Sequence, residues 1–206
     1  MRAHSARLAS ETQAERERLA SLFSDLSPEQ WDTPSLCAGW RVREVVAHIT
    51  MPFRTKPLGI VPGLIRTGFS FSRYADRDAR STAHEMSQAE LVDLLRRNVG
   101  NPWQPPGGGD IGALSHDVIH GLDATEPLDL PAPPADRIAL VLASAGSRQL
   151  RYFGVNLAGQ RLSATDADVS VGEGVRVLPM TAKEILLVVT GRHPLNGFSG
   201  AKQRAS

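Results

Sequence analysis

Apolar residues along the first part of this chain recur with the spacing of helices. Leu8, Leu19, Leu22, Phe23 and Leu26 lie at such intervals within a charged segment containing Glu11, Glu15 and Arg16, which predicts a first helix over residues 4 to 26. Ser27-Pro28 restarts a short turn, with serine as cap and proline at the first helical position. Val42, Val45, Val46 and Ile49 form the stripe of a second helix over 41 to 51, which Pro52 is expected to end. Gly59, Pro62, Gly63 and Gly68 interrupt the next stretch, and Phe71, Tyr74, Ala75, Ala79 and Ala83 predict a helix near 70 to 84. Ser87-Gln88-Ala89-Glu90 is a capping box, followed by Leu91, Leu94, Leu95 and Val99 at core spacing up to Gly100. After the loop Pro105-Pro106-Gly107-Gly108-Gly109, Asp110 is expected to cap a helix with the stripe Ile111, Leu114, Val118, Ile119 and Leu122. Pro131, Pro133 and Pro134 make a further loop, and Ile138, Leu142 and Ala145 open a helix to about Tyr152.

Beyond this point the period changes from helical spacing to two. Arg161–Thr165, Val169–Val171 and Val175–Leu178 alternate between Asp/Gly turns and read as strands. A second capping box, Thr181-Ala182-Lys183-Glu184, leads into a helix with Ile185, Leu186, Val188 and Val189, closed by Gly191. The expected class is α+β and mostly α: a helical body over residues 1–153, then a small α+β unit over 154–206.

Within the helical body, His116 and His120 stand four residues apart, so one helix face presents both imidazoles. His48 lies beside the stripe of the second helix. Three neutral imidazoles meeting at one point make an open tetrahedral metal site with a fourth position free. The pair alone is weak evidence, and Asp117 competes with His116 as a ligand if the helix is rotated.

The formal charge is +1, and no basic run with interleaved aromatics points to nucleic acid. No apolar stretch approaches the ~20 residues needed to span a bilayer, and Met1–Ser5 lacks a signal-peptide core. The single cysteine, Cys37, fits a reducing cytoplasm and reads as a buried small hydrophobe. Of 23 basic residues only Lys56, Lys183 and Lys202 are lysines, an arginine bias typical of GC-rich genomes. Trp40 reads as a packing anchor, and His4, His84 and His193 as surface residues.

The segment Trp31-Asp32-Thr33-Pro34-Ser35-Leu36-Cys37-Ala38-Gly39-Trp40, followed by Val42–His48, resembles the N-terminal signature of mycothiol-dependent maleylpyruvate isomerase-like proteins. These are a branch of the DinB-like four-helix bundles. His120-Gly121-Leu122-Asp123 with Pro127-Leu128 resembles their second metal-binding stretch. Arg161–Asp166 and Val189–Arg192 resemble their C-terminal domain. The resemblance implies a DinB-like bundle holding a divalent metal, zinc foremost and nickel as an alternative, on His48, His116 and His120. Many of these isomerase-like proteins have a carboxylate where His116 stands, whereas other DinB-like proteins have histidine. The exchange adds one positive charge and favours an anionic fourth ligand such as a thiolate.

The resemblance also implies mycothiol as cofactor and a small electrophilic substrate, possible unsaturated acids among them. A thiol near pKa 8.5 loses its proton on zinc and becomes a nucleophile. It can add to a conjugated double bond and permit rotation, or displace a leaving group, so isomerase and S-transferase readings both stand. A non-catalytic binding protein and a hydrolase with water as fourth ligand are the alternatives. Asp123, three residues past His120, is placed to hydrogen-bond a ligand imidazole or to face solvent. Arg192 matches the family's late arginine, expected to act on thiol or substrate from a C-terminal unit that walls the thiol pocket; a surface arginine is the plainer reading.

Overall fold

The computed structural model describes residues 2–54, 65, 67, 68, 70–144, 146–157 and 159–195. Gly59, Pro62 and Gly63, expected as breakers, and Ala145 lie outside the described residues. The chain divides into two compact units, residues 1–131 and 132–206. Residues 132–153, expected in the bundle domain, therefore group with the second unit.

In the first unit, α1 (Arg2–Ser24) buries Leu8, Leu19, Ala20 and Phe23. The short α2 (Pro28–Trp31) starts on a full Ser27/Gln30 capping box with proline in its first turn. The second long helix, α3 (Val42–Arg54), runs through Pro52 instead of ending before it. Proline in the last turn breaks only one ladder bond, and Arg54 braces that turn by donating to Ala47 O and Asp78. α4 (Phe71–Glu85) is capped by Ser70, and α5 (Gln88–Arg97) by the predicted Ser87/Glu90 box.

α6 (Gly112–Thr125) passes into a 3-10 turn at Glu126–Leu128. Asp110 does not cap it: Ile111 occupies the cap position without a side-chain bond, and Asp110 instead accepts from Ser5 Oγ at 2.6 Å. A tertiary donor from α1 has taken the carboxylate that local pattern assigned to the helix. Helices α1 and α3 each pack on both α5 and α6, closing a four-helix bundle, and α4 lies against α3. Leu19, Phe23, Val45, Ile49, Leu91 and Leu95 share one core cluster in the bundle. Each such side chain contributes on the order of 1.5–3 kcal/mol by leaving water.

In the second unit the expected single helix over 138 to 152 is two, α7 (Ala135–Leu142) and α8 (Ser147–Tyr152). Ser144 supplies the break, since both its amide and its hydroxyl donate to Val141 O. Strands β1 (Gln160–Ala164), β2 (Ser170–Val171) and β3 (Arg176–Met180) form a sheet of order β2-β1-β3. β1 is antiparallel to β2 and parallel to β3, with Leu162 opposite both Val171 and Leu178. α9 (Ala182–Val189) begins on the Thr181/Glu184 box and packs on α7 and β1. Gly191, at φ 72, ends it in the left-handed conformation that glycine adopts without penalty. The class is α+β and mostly helical, as the sequence implies. Among the described residues no helix is long and apolar enough to cross a membrane.

Candidate metal centre

α3 and α6 pack directly on one another, and that contact assembles the site. The apolar stripe of α3 fixes its rotation by burying Val42, Val45, Val46 and Ile49. His48, next to that stripe, is carried inward and is only 6% exposed. On α6, Leu114, Val118 and Leu122 are buried, and the adjoining face holds His116 and His120 half-buried. The three rings come together, with centroids 5.2 Å apart for His48–His116, 4.7 Å for His48–His120 and 5.0 Å for His116–His120. One nitrogen from each lies within 4.8 Å of the other two. Trp40 stands 5.3 Å from His48 and Trp103 5.4 Å from His116, ring centre to ring centre. Trp40 is itself anchored through an indole bond to Asp76 at 2.7 Å.

Two carboxylates stand behind the pair on α6. His116 Nδ1 lies 2.9 Å from Asp117 Oδ1, and His120 Nδ1 lies 3.0 Å from Asp123 Oδ2. A carboxylate only accepts, so each Nδ1 carries the proton and each Nε2 keeps its lone pair. Both acids are buried, at 1% and 0% exposure. Asp117 Oδ2 is taken by Arg16 Nε at 2.7 Å. Asp123 Oδ2 also accepts from the Cys37 thiol at 3.1 Å, and its backbone oxygen accepts from Leu36 N.

Asp117 thus has one oxygen on His116 and the other on Arg16. Cys37 is half-buried against the core cluster, with its thiol hydrogen-bonded to Asp123.

His48 is built to stay neutral. Burial out of water, and then the imidazoles of His120 and His116, lower its pKa to about 2. A neutral imidazole is the form that ligates. Its Nδ1 is buried without a hydrogen-bond partner, which costs about 1–3 kcal/mol in an empty interior. His48, His116 and His120 would hold a divalent ion through one nitrogen each. The donor set therefore fits a borderline divalent cation such as zinc or nickel.

Arg192 lies in the second unit, where Nη1 donates to Thr190 O and the guanidinium stands 5.5 Å from the Phe153 ring centre. His4 and His84 are exposed, whereas His193 is half-buried. Sequence reasoning missed Arg16. Its signal was its place on the α1 stripe, midway between buried Leu8 and Phe23, where a charge needs a buried partner.

The fold and the three-imidazole cluster define a helical-bundle protein with a histidine-lined candidate metal centre, joined to a small α+β unit. Residues 12–101 match the model of the mycothiol maleylpyruvate isomerase N-terminal domain. The chain also has the fold of a mycothiol-dependent maleylpyruvate isomerase known from a crystal structure. The TM-score is 0.55 at 13% sequence identity, over 92% of this chain and 90% of the other. Comparison with curated proteins finds no significant match.

Proposed function

We propose that this protein is a metal- and mycothiol-dependent enzyme of the maleylpyruvate isomerase kind, acting on a small electrophilic substrate such as an unsaturated acid. The observation that carries this reading is the convergence of His48, His116 and His120, with both Nδ1 atoms of the α6 pair already committed to carboxylates. The N-terminal domain family supports it independently. His48, His116 and His120 are the proposed ligands, and Asp123 orients His120 from behind. A divalent metal held there supplies the Lewis acidity that makes a bound thiol nucleophilic near neutral pH. Trp40 packs on His48 and Trp103 on His116, placing apolar surface beside the site. Arg192 is the proposed cation for an anionic substrate or for polar groups of the thiol.

The test is a reaction series with zinc-loaded protein, mycothiol and a panel of conjugated unsaturated acids and alkyl halides. The expected result is turnover that needs both metal and thiol, with isomerised acid or S-conjugate as the product. Fully zinc-loaded protein that leaves the whole panel unchanged in the presence of mycothiol would overturn the enzymatic reading.

A further inference from the structure

We propose that Arg16 is the positioning residue of the metal centre: through Asp117 it fixes His116 as a nitrogen donor and keeps the neighbouring carboxylate away from the ion. The proposal rests on the metal-binding reading above and adds a residue from a helix that contributes no ligand.

Arg16 is 1% exposed, in the middle of α1. Its Nε donates to Asp117 Oδ2 at 2.7 Å, and its Nη1 to the carbonyl oxygens of Asn101, Val99 and Asn98 at 2.7, 3.2 and 3.4 Å. Its guanidinium carbon stands 5.0 Å from the centre of the Phe53 ring. One side chain of α1 thus ties together α6, the turn after α5 and the end of α3. The planar fork cannot rotate without losing several of these bonds at once.

The consequence for Asp117 is geometric. With Oδ2 held by Arg16, Oδ1 is left for His116 Nδ1, which then keeps its proton. Nε2 of His116 remains as the free donor. Without the arginine, Asp117 is a buried carboxylate one residue from a ligand position, with an uncompensated charge. Freed from that bond, its carboxylate can turn an oxygen toward a cation, and the His116 tautomer is no longer fixed. An anionic oxygen in place of neutral nitrogen also favours harder ions such as Mn²⁺ over Zn²⁺.

The experiment compares the full-length wild type with Arg16→Lys, Arg16→Met and the double variant Arg16→Met/Asp117→Leu. The double variant removes both charges, which replacement of a buried pair by apolar groups often tolerates. Three quantities are read: the His116 tautomer in metal-free protein by long-range 1H–15N NMR, the zinc affinity by chelator competition, and the Zn²⁺/Mn²⁺ preference. The expected wild-type spectrum shows His116 protonated at Nδ1. Arg16→Lys should lose that fixed tautomer and about tenfold or more in zinc affinity, the usual scale for a lost outer partner. Arg16→Met should in addition shift the preference toward Mn²⁺, and the double variant should abolish that shift while the tautomer stays unfixed. The tautomer readout uses metal-free protein, so it stands or falls separately from whether the centre is a functional metal site. An unchanged tautomer and zinc affinity in Arg16→Lys, or in the double variant, would leave Arg16 a structural ion pair and overturn the proposal.

Discussion

His120 Nδ1 and Asp123 Oδ2 stand 3.0 Å apart across one turn of α6, and the acid is wholly buried. The helix thus carries its own orienting group for the proposed ligand three residues earlier. Asp123→Ala should weaken zinc binding about 10–100-fold while the protein still folds, since the apolar stripes and not this acid build the bundle. Chelator competition with zinc measures it, and undiminished affinity would leave Asp123 a packing residue.

His120→Ala removes one of the three proposed ligands, so metal binding should be largely lost. One zinc or nickel per wild-type chain, by elemental analysis after purification, should drop to a small fraction in the variant. Full stoichiometry in His120→Ala would refute the site as drawn. Circular dichroism on the same samples should show helix content close to that of wild type.

Metal-free protein should lose stability as pH falls through the ordinary histidine range. In the folded chain His48 has its pKa lowered to about 2, against about 6.5 in an unfolded chain. Between those values the unfolded state binds a proton that the folded state does not, so acid favours unfolding, by up to about 1.4 kcal/mol per pH unit. Denaturant melts of metal-free wild type and His48→Leu between pH 7 and pH 5 check this. The variant should have the shallower slope; parallel slopes would mean that His48 titrates normally.

The sequence showed what depends on neighbours three or four residues away. The boxes at Ser27, Ser87 and Thr181 are such patterns, and all three form. The His116–His120 pair is another, and its convergence with His48 follows once the stripes of α3 and α6 are laid on each other. What escaped depends on partners far along the chain. Ser5 takes Asp110 from across 105 positions, and Arg16 reaches Asp117 across 101. Pro52 stays helical because Arg54 finds Asp78 on α4. The parallel pairing of β1 with β3 is likewise invisible to period-two alternation, which marks strands but not their order.

The close approach of α1 to α6 beside the His116–His120 pair depends on Gly121. A Cβ built there would stand 2.9 Å from Leu19 Cδ2 and 3.4 Å from Glu15 Oε1, with both of those residues fully buried. Gly121→Ala gains about 1 kcal/mol of helix propensity but forces a tightly packed leucine aside. Overpacking of this kind costs about 1–3 kcal/mol, so the net change should be destabilising. Thermal melts of metal-free protein should show a lower midpoint, and a Leu19→Ala partner substitution should relieve part of the strain. A raised midpoint in Gly121→Ala would show that the helices have room to separate.

Arg192 should matter for thiol or substrate use and not for metal binding, because a guanidinium cannot ligate a cation. Its Nη1 donates to the backbone of Thr190. Phe153 lies under its charged group and helps hold it in place. In a mycothiol-dependent assay, Arg192→Ala should lower kcat/KM by tenfold or more, chiefly through KM if it contacts the thiol and through kcat if it meets charge that develops during reaction. Zinc content should remain that of wild type. Arg192→Lys keeps the charge without the planar fork, and should recover only part of the loss if two polar groups are bound at once. Kinetics equal to wild type in Arg192→Ala would reduce Arg192 to a residue that closes the end of α9.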